Sequence, residues 1–248
     1  MTQPAIVTTD SLRPRDRIIV ALDVSMAAEA REIVGELNGS VGAFKIGLQL
    51  FVSLGPEFVR EMVAAGVKVF LDLKFHDIPN TVSMAAVEAA KLGVWMLNVH
   101  ASGGSEMMRR TVSEVKLACE DAGIEPPLLI AVTVLTSSDG NALRETGIET
   151  PVSEQVIRLA TLAADAGFDG VVASAQEATA IRKSIGEDFK IVTPGIRPIG
   201  ATNDDQKRVT TFGSAISAGS DYVVIGRPIT ASSDRTKALN EIVAEIEG

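Results

Sequence analysis

Residues 68–92 read KVFLDLKFHDIPNTVSMAAVEAAKL. The first seven are dominated by apolar and β-favouring side chains and predict a strand over 68–74. The Ala-rich stretch 82–92 has the amphipathic spacing of a helix, and Pro79 stands near its start, where a missing N–H is tolerated. Side chains alternate along a strand, so Leu71, Leu73 and Phe75 share one face while Asp72 and Lys74 share the other. A strand that ends in charge and passes straight into a helix is one βα unit with a polar upper end.

The same unit recurs in both directions from this stretch. Further strands are predicted over 17–23, 43–48, 96–100, 128–136, 170–174, 190–195 and 222–227. Helices are predicted over 27–37, 56–65, 105–122, 152–166, 175–185, 211–218 and 234–247, and the fifth unit holds two helical pieces split near Thr150 and Pro151. Strands alternating with helices make a parallel sheet with helices packed outside it. Eight such units in 248 residues predict a single (β/α)8 TIM barrel, ahead of a doubly wound open sheet.

Composition agrees. Hydrophobic residues make up 46% and charged residues 22% of the chain, ample for a core and too apolar for general disorder. Lys and Arg total 23 against 32 Asp and Glu, a net charge of −9, which argues against nucleic acid or anionic membrane as partner. The single Cys119 has no intrachain disulfide partner and suits a reducing compartment. The first residues lack the apolar core of a signal peptide, and the longest apolar run, 128–135, is too short to span a bilayer. The expectation is one cytoplasmic domain over 1–248, with 1–15 a loosely held tail and the polar stretch 197–211 a loop that closes over a ligand.

Polar side chains gather at the strand ends: Asp23, Lys45, Asp72, Lys74, Asn98, His100, Thr136 and Arg227. TIM barrels carry their active sites at that end. Asp72 and Asp77 bracket Lys74, with Lys45 at the end of the preceding strand. Such a cluster can be a structural ion-pair network, with Asp77 starting the helix after it. Burying four charges for stability alone is unprofitable, which favours a site. Gly195 in TPGIRP and Gly226 with Arg227 in VVIGRP end the predicted strands seven and eight, where barrels of this class bind phosphate.

These residues also carry a resemblance. DLKFHDIPNT at 72–81, ALD ending at Asp23, FKIG containing Lys45, TPGIRP and IGRPI together closely resemble the orotidine 5′-phosphate decarboxylase family, bacterial monofunctional type, from Arg17 to about Ile229. The resemblance implies a homodimeric barrel that converts orotidine 5′-monophosphate to UMP and CO2 without metal or organic cofactor. It implies that Lys74 protonates C6 of the pyrimidine and that Lys45, Asp72 and Asp77 complete a Lys/Asp array. Asp77 and Thr81 would reach the neighbouring subunit's site. Asp23 and Lys45 would contact the ribose hydroxyls and Thr136 the pyrimidine ring. Arg197, Gln206, Gly226 and Arg227 would bind the phosphate, Gln206 from the closing loop.

Two alternatives compete. One is a Mg2+-dependent sugar-phosphate decarboxylase or synthase of similar layout, in which the acidic residues hold the metal. The other is a catalytically silent barrel that binds a nucleotide. Two histidines and one cysteine at separate places give no metal-ligand spacing. His76 is expected to pack or meet a second subunit, and Asn98 and His100 to hydrogen-bond at the barrel floor. Trp95, Tyr222 and Cys119 read as packing.

Overall fold

The computed structural model describes residues 12–196 and 210–247. After a 3-10 turn at Pro14–Arg17, the chain runs β1 (Ile18–Ala21), α1 (Ala27–Leu37), β2 (Ala43–Gly47), α2 (Leu48–Ala64), β3 (Val69–Phe75) and α3 (Pro79–Lys91). It continues through β4 (Met96–His100), a short 3-10 turn at Ala101–Gly103, α4 (Gly104–Ala122), β5 (Leu128–Val132), α5 (Gly140–Glu145) and α6 (Val152–Asp165). Then follow β6 (Gly170–Val172), α7 (Ala175–Ile185), β7 (Lys190–Thr193), α8 (Phe212–Ser217), β8 (Tyr222–Ile225), α9 (Arg227–Thr230) and α10 (Arg235–Glu247).

The strands pair in chain order, all parallel, and β8 closes onto β1 through Ile19 opposite Val224. The predicted TIM barrel is the fold observed.

Alternation along each strand divides the apolar residues into two layers. Ile19, Ala21, Ala43, Phe70, Met96, Ile130, Val192 and Val224 fill the barrel interior. Ile18, Val20, Phe44, Leu71, Leu97 and Ala131 face outward onto the helices, whose buried stripes include Ile33 and Leu37 of α1 and Leu159 and Ala163 of α6. Removing both layers from water is the main force holding sheet and helices together. Beneath the interior layer, Trp95 meets Tyr222 edge-on at 5.2 Å, and the Lys68 ammonium lies 5.9 Å from the Trp95 ring centre. Among the described residues no helix is long and apolar enough to cross a membrane.

Several boundaries differ from the sequence reading, each for a local reason. Helix α2 begins at Leu48 rather than residue 56, because two helical pieces meet at Gly55, whose φ of 70° breaks the run just before Pro56. Its first piece exposes Leu48 and Val52, so no one-sided apolar stripe marked it. The predicted fifth strand stops at Val132 and the eighth at Ile225. Gly226 is then the N-cap of α9, so Arg227 belongs to that helical turn and not to a strand end. Asp139 accepts hydrogen bonds from the Asn141 and Ala142 N–H groups and so fixes the start of α5.

Candidate active site

β3 carries the centre of the site. Leu73 and Phe75 pack outward with Leu71, leaving Asp72 and Lys74 on the inner face, as alternation predicts. The strand nevertheless departs from regular geometry. Leu71 pairs with Leu97 and Phe75 with Val99, so residues 72–74 run opposite the single residue Asn98. The surplus is absorbed at Lys74, whose φ of 52° is the only positive value at a non-glycine position among the described residues. Such a backbone costs energy and persists only where its surroundings hold it.

Four charges form a chain across the neighbouring strand ends. The Lys45 ammonium on β2 donates to Asp23 Oδ1 at 2.9 Å and stands 3.4 Å from Asp72 Oδ2. The Lys74 ammonium donates to Asp72 Oδ1 at 2.7 Å. Lys45 and Asp72 are buried, Lys74 is partly open to the mouth, and Asp23 is exposed at its rim. Burial works against the Lys45 ammonium, but Asp72 and then Asp23 outweigh it and hold its pKa above the ordinary lysine value.

Asn98 completes the cluster from β4. It has no exposed surface; its Oδ1 accepts the Lys74 backbone N–H at 2.8 Å, and its Nδ2 donates to Asp72 Oδ1 at 2.7 Å. Asn98 was expected to hydrogen-bond at the barrel floor; it does form hydrogen bonds, and its partners are members of the charged array itself. The β3–β4 register shift that creates this contact is non-local and leaves no mark in the sequence. Gly47 was also overlooked: a Cβ there would lie 3.0 Å from Lys45 Nζ, so the glycine leaves room for the ammonium.

A cavity of about 390 Å³ opens at this end of the barrel. Asp23, Lys45, Asp72, Lys74, Thr136, Gly226 and Arg227 line it, seven of the expected site residues, together with Gly195 and Pro194. Thr136 is buried and Arg227 is exposed at the rim. Gly195 takes a φ of 80°, a turn that other residues rarely adopt.

Asp77 and Thr81 lie outside this cavity, exposed around the start of α3, where Asp77 Oδ1 accepts the Ile78 N–H at 2.7 Å. Arg197, Gln206 and most of the expected closing loop fall outside the described residues, as do residues 1–11 of the expected tail. His76 and His100 stand with ring centres 5.4 Å apart. Burial, His76 and Lys74 push the His100 pKa below the ordinary value, against a smaller opposing pull from Asp72. Cys119 is buried within α4, as a packing residue should be.

A closed parallel barrel whose mouth holds alternating lysines and carboxylates over a cavity defines a (β/α)8-barrel enzyme. The family described as "Orotidine 5'-phosphate decarboxylase / HUMPS family" matches residues 16–242, and the chain belongs to it. The orotidine 5′-phosphate decarboxylase of Syntrophotalea carbinolica is 54% identical over 235 residues, covering 94% of this chain and 95% of that one. That of Geobacter sulfurreducens is 53% identical, covering 94% and 96%. Among solved structures, the orotidine 5′-phosphate decarboxylase of Lactobacillus acidophilus superposes with a TM-score of 0.81 at 39% identity, covering 93% of this chain and 99% of that chain.

Proposed function

We propose that this protein decarboxylates orotidine 5′-monophosphate to UMP and CO2, the step that completes the pyrimidine nucleotide in de novo synthesis. The observation that carries the reading is the Lys74 ammonium, fixed by Asp72 and open to the mouth cavity. Breaking the bond between C6 and the carboxylate releases CO2 and leaves the electron pair in the ring plane, where the π system cannot spread it. Stabilisation must then come from preorganised charge. The Lys74 ammonium faces that pair and afterwards gives C6 its proton. Lys45 and Asp23 are assigned to the ribose hydroxyls, Thr136 to the pyrimidine, and Gly226 and Arg227 to the phosphate. Arg197 and Gln206 are assigned to the phosphate on the family resemblance alone.

A second reading comes from the family's own description, which covers more than one activity. In a Mg2+-dependent sugar-phosphate enzyme of this layout, the carboxylates would serve as metal ligands. Here Asp72 already accepts from Lys74 and Asn98 and faces Lys45, while Asp23 accepts from Lys45. Carboxylates occupied by cationic and amide donors favour the metal-free decarboxylase.

We also propose a homodimer in which Asp77 and Thr81 complete the partner's site. Their position outside their own cavity supports this, as do the exposed Met26, Leu48, Val52, Ile78 and Met84 on the first three βα units. The protein is assigned to the cytoplasm, a reducing compartment that suits its single Cys119.

The test follows the ultraviolet change on adding orotidine 5′-monophosphate to purified protein in EDTA. Turnover by the wild type is expected, with a loss of roughly 10²- to 10⁴-fold or more in Lys74→Ala, the scale of removing a positioned proton donor. Tight binding without turnover would indicate the silent nucleotide-binding barrel. No binding, with Mg2+-dependent turnover of a sugar phosphate, would establish the second reading.

A further inference from the structure

We infer that Asn98 is a positioning residue for the reaction, holding Lys74 and Asp72 in their working geometry from the opposite strand. The inference rests on the proposed roles of those two residues. Its basis is a closed ring of contacts. Asn98 Oδ1 accepts from the Lys74 backbone at 2.8 Å, Asn98 Nδ2 donates to Asp72 Oδ1 at 2.7 Å, and that same oxygen accepts from Lys74 Nζ at 2.7 Å. One side chain thus fixes both the root of the lysine and the carboxylate that aims its tip.

The chemistry of the partners makes the amide specific. A backbone N–H can only donate and an ionised carboxylate can only accept, so the site demands one acceptor and one donor side by side. An amide offers both; leucine offers neither, and ionised aspartate offers only acceptors. The partners also determine which end of the amide is oxygen.

Location strengthens the argument. Asn98 sits where three residues of β3 pass one residue of β4, and it bonds the residue whose backbone is left-handed. A strained conformation at a reacting group needs a local partner to hold it. Asn98 is fully buried, and the partners it satisfies are two members of the array.

Two variants test the inference, with kcat, KM, UMP affinity and thermal unfolding measured for each. Asn98→Leu keeps the branching and the number of side-chain heavy atoms and removes both hydrogen bonds. A fall in kcat of about 10²-fold is expected, the scale of a misplacement near 1 Å at a reacting group, with UMP affinity and KM within a few-fold of wild type. Unchanged kcat in the folded variant would overturn the inference.

Asn98→Asp decides the matter even if the leucine variant fails to fold. The introduced carboxyl would face Asp72 and Lys74 from β3, with Lys45 beyond on β2, His100 two residues along β4, and apolar Ile130 opposite on β5. Protonated, it can accept from Lys74 and donate to Asp72 as the amide does; ionised, it sets two carboxylates together. Its kcat should therefore carry a limb, absent from wild type, that falls as pH rises. A pH profile of unchanged shape would overturn the inference.

Wild-type turnover in the same assay reports separately on the proposed function. Should the wild type prove inactive on this nucleotide, a crystal structure of Asn98→Leu decides the positioning role. Loss of the left-handed Lys74 backbone or of its contact with Asp72 would support it, and retention of both would overturn it.

Discussion

Arg227 stands exposed at the rim of the cavity, in the turn that follows Gly226. If it grips a phosphoryl group remote from the reacting carbon, its binding energy helps drive the chemical step as well as capture. Arg227→Ala should lower kcat/KM by roughly 10²-fold or more, the scale of losing a charge-assisted contact. Steady-state kinetics checks this; an unchanged kcat/KM would remove Arg227 from the site. His100 gives a second prediction at this scale. Its pKa is depressed in the folded protein, so the unfolded chain binds more protons as pH falls below the ordinary histidine value of about 6.5. Stability contributed by the neutral imidazole is present above that value and declines below it, towards the lower folded-state pKa. Thermal unfolding of wild type between pH 7.5 and 5.5 should therefore show a steeper loss than His100→Gln, and parallel curves would contradict the assignment. The inner orientation of Asp72 and Lys74 was legible in the sequence, because alternation is a local rule. The part played by Asn98 was not, because it arises where two strands fall out of register.

Among the elements, α7 has the most exacting task. Arg182 reaches from it beneath β7 and β8, donating to the carbonyls of Gly219 at 2.8 Å and Glu187 at 2.9 Å and pairing with Asp221. Asp221 also accepts the Ile191 N–H at 2.7 Å, which ties the start of β7 to the start of β8. Both side chains are almost wholly buried. Arg182→Ala would strand a buried carboxylate and several carbonyls, and should cost about 3–5 kcal/mol in urea unfolding. A loss below 1 kcal/mol would mean that water replaces the guanidinium. The exposed Arg31–Glu61 pair, by contrast, should contribute little, because water screens both charges. Element existence was largely readable from periodicity, since α1, α7 and β4 occupy the predicted residues. The first piece of α2 escaped because its exposed Leu48 and Val52 blur the apolar stripe. The upper end of β5 was overextended because Val134 and Leu135 continue its apolar run, and that of β8 because Gly226 and Arg227 belong to the turn that follows.

At the scale of the whole molecule, closure of eight parallel strands gathers residues from Asp23 to Arg227 around one cavity. Asp77 and Thr81 escape that gathering, which gives the shared-site reading a sharp consequence. Mixing inactive Lys74→Ala with inactive Asp77→Ala should restore activity, because one site in each hybrid dimer is intact. With random exchange, about a quarter of wild-type activity is the ceiling. No recovery despite proven subunit exchange would mean that each site is built from a single chain.

The chain has one tryptophan, Trp95, and it is lodged at the end of the barrel opposite the cavity, between Tyr222 and the Lys68 ammonium. Its emission is therefore an optical report on the integrity of the barrel base, spatially removed from events at the mouth. Fluorescence can follow unfolding in saturating nucleotide while absorbance follows turnover, so that the two signals separate a variant that has lost its chemistry from one that has lost its fold.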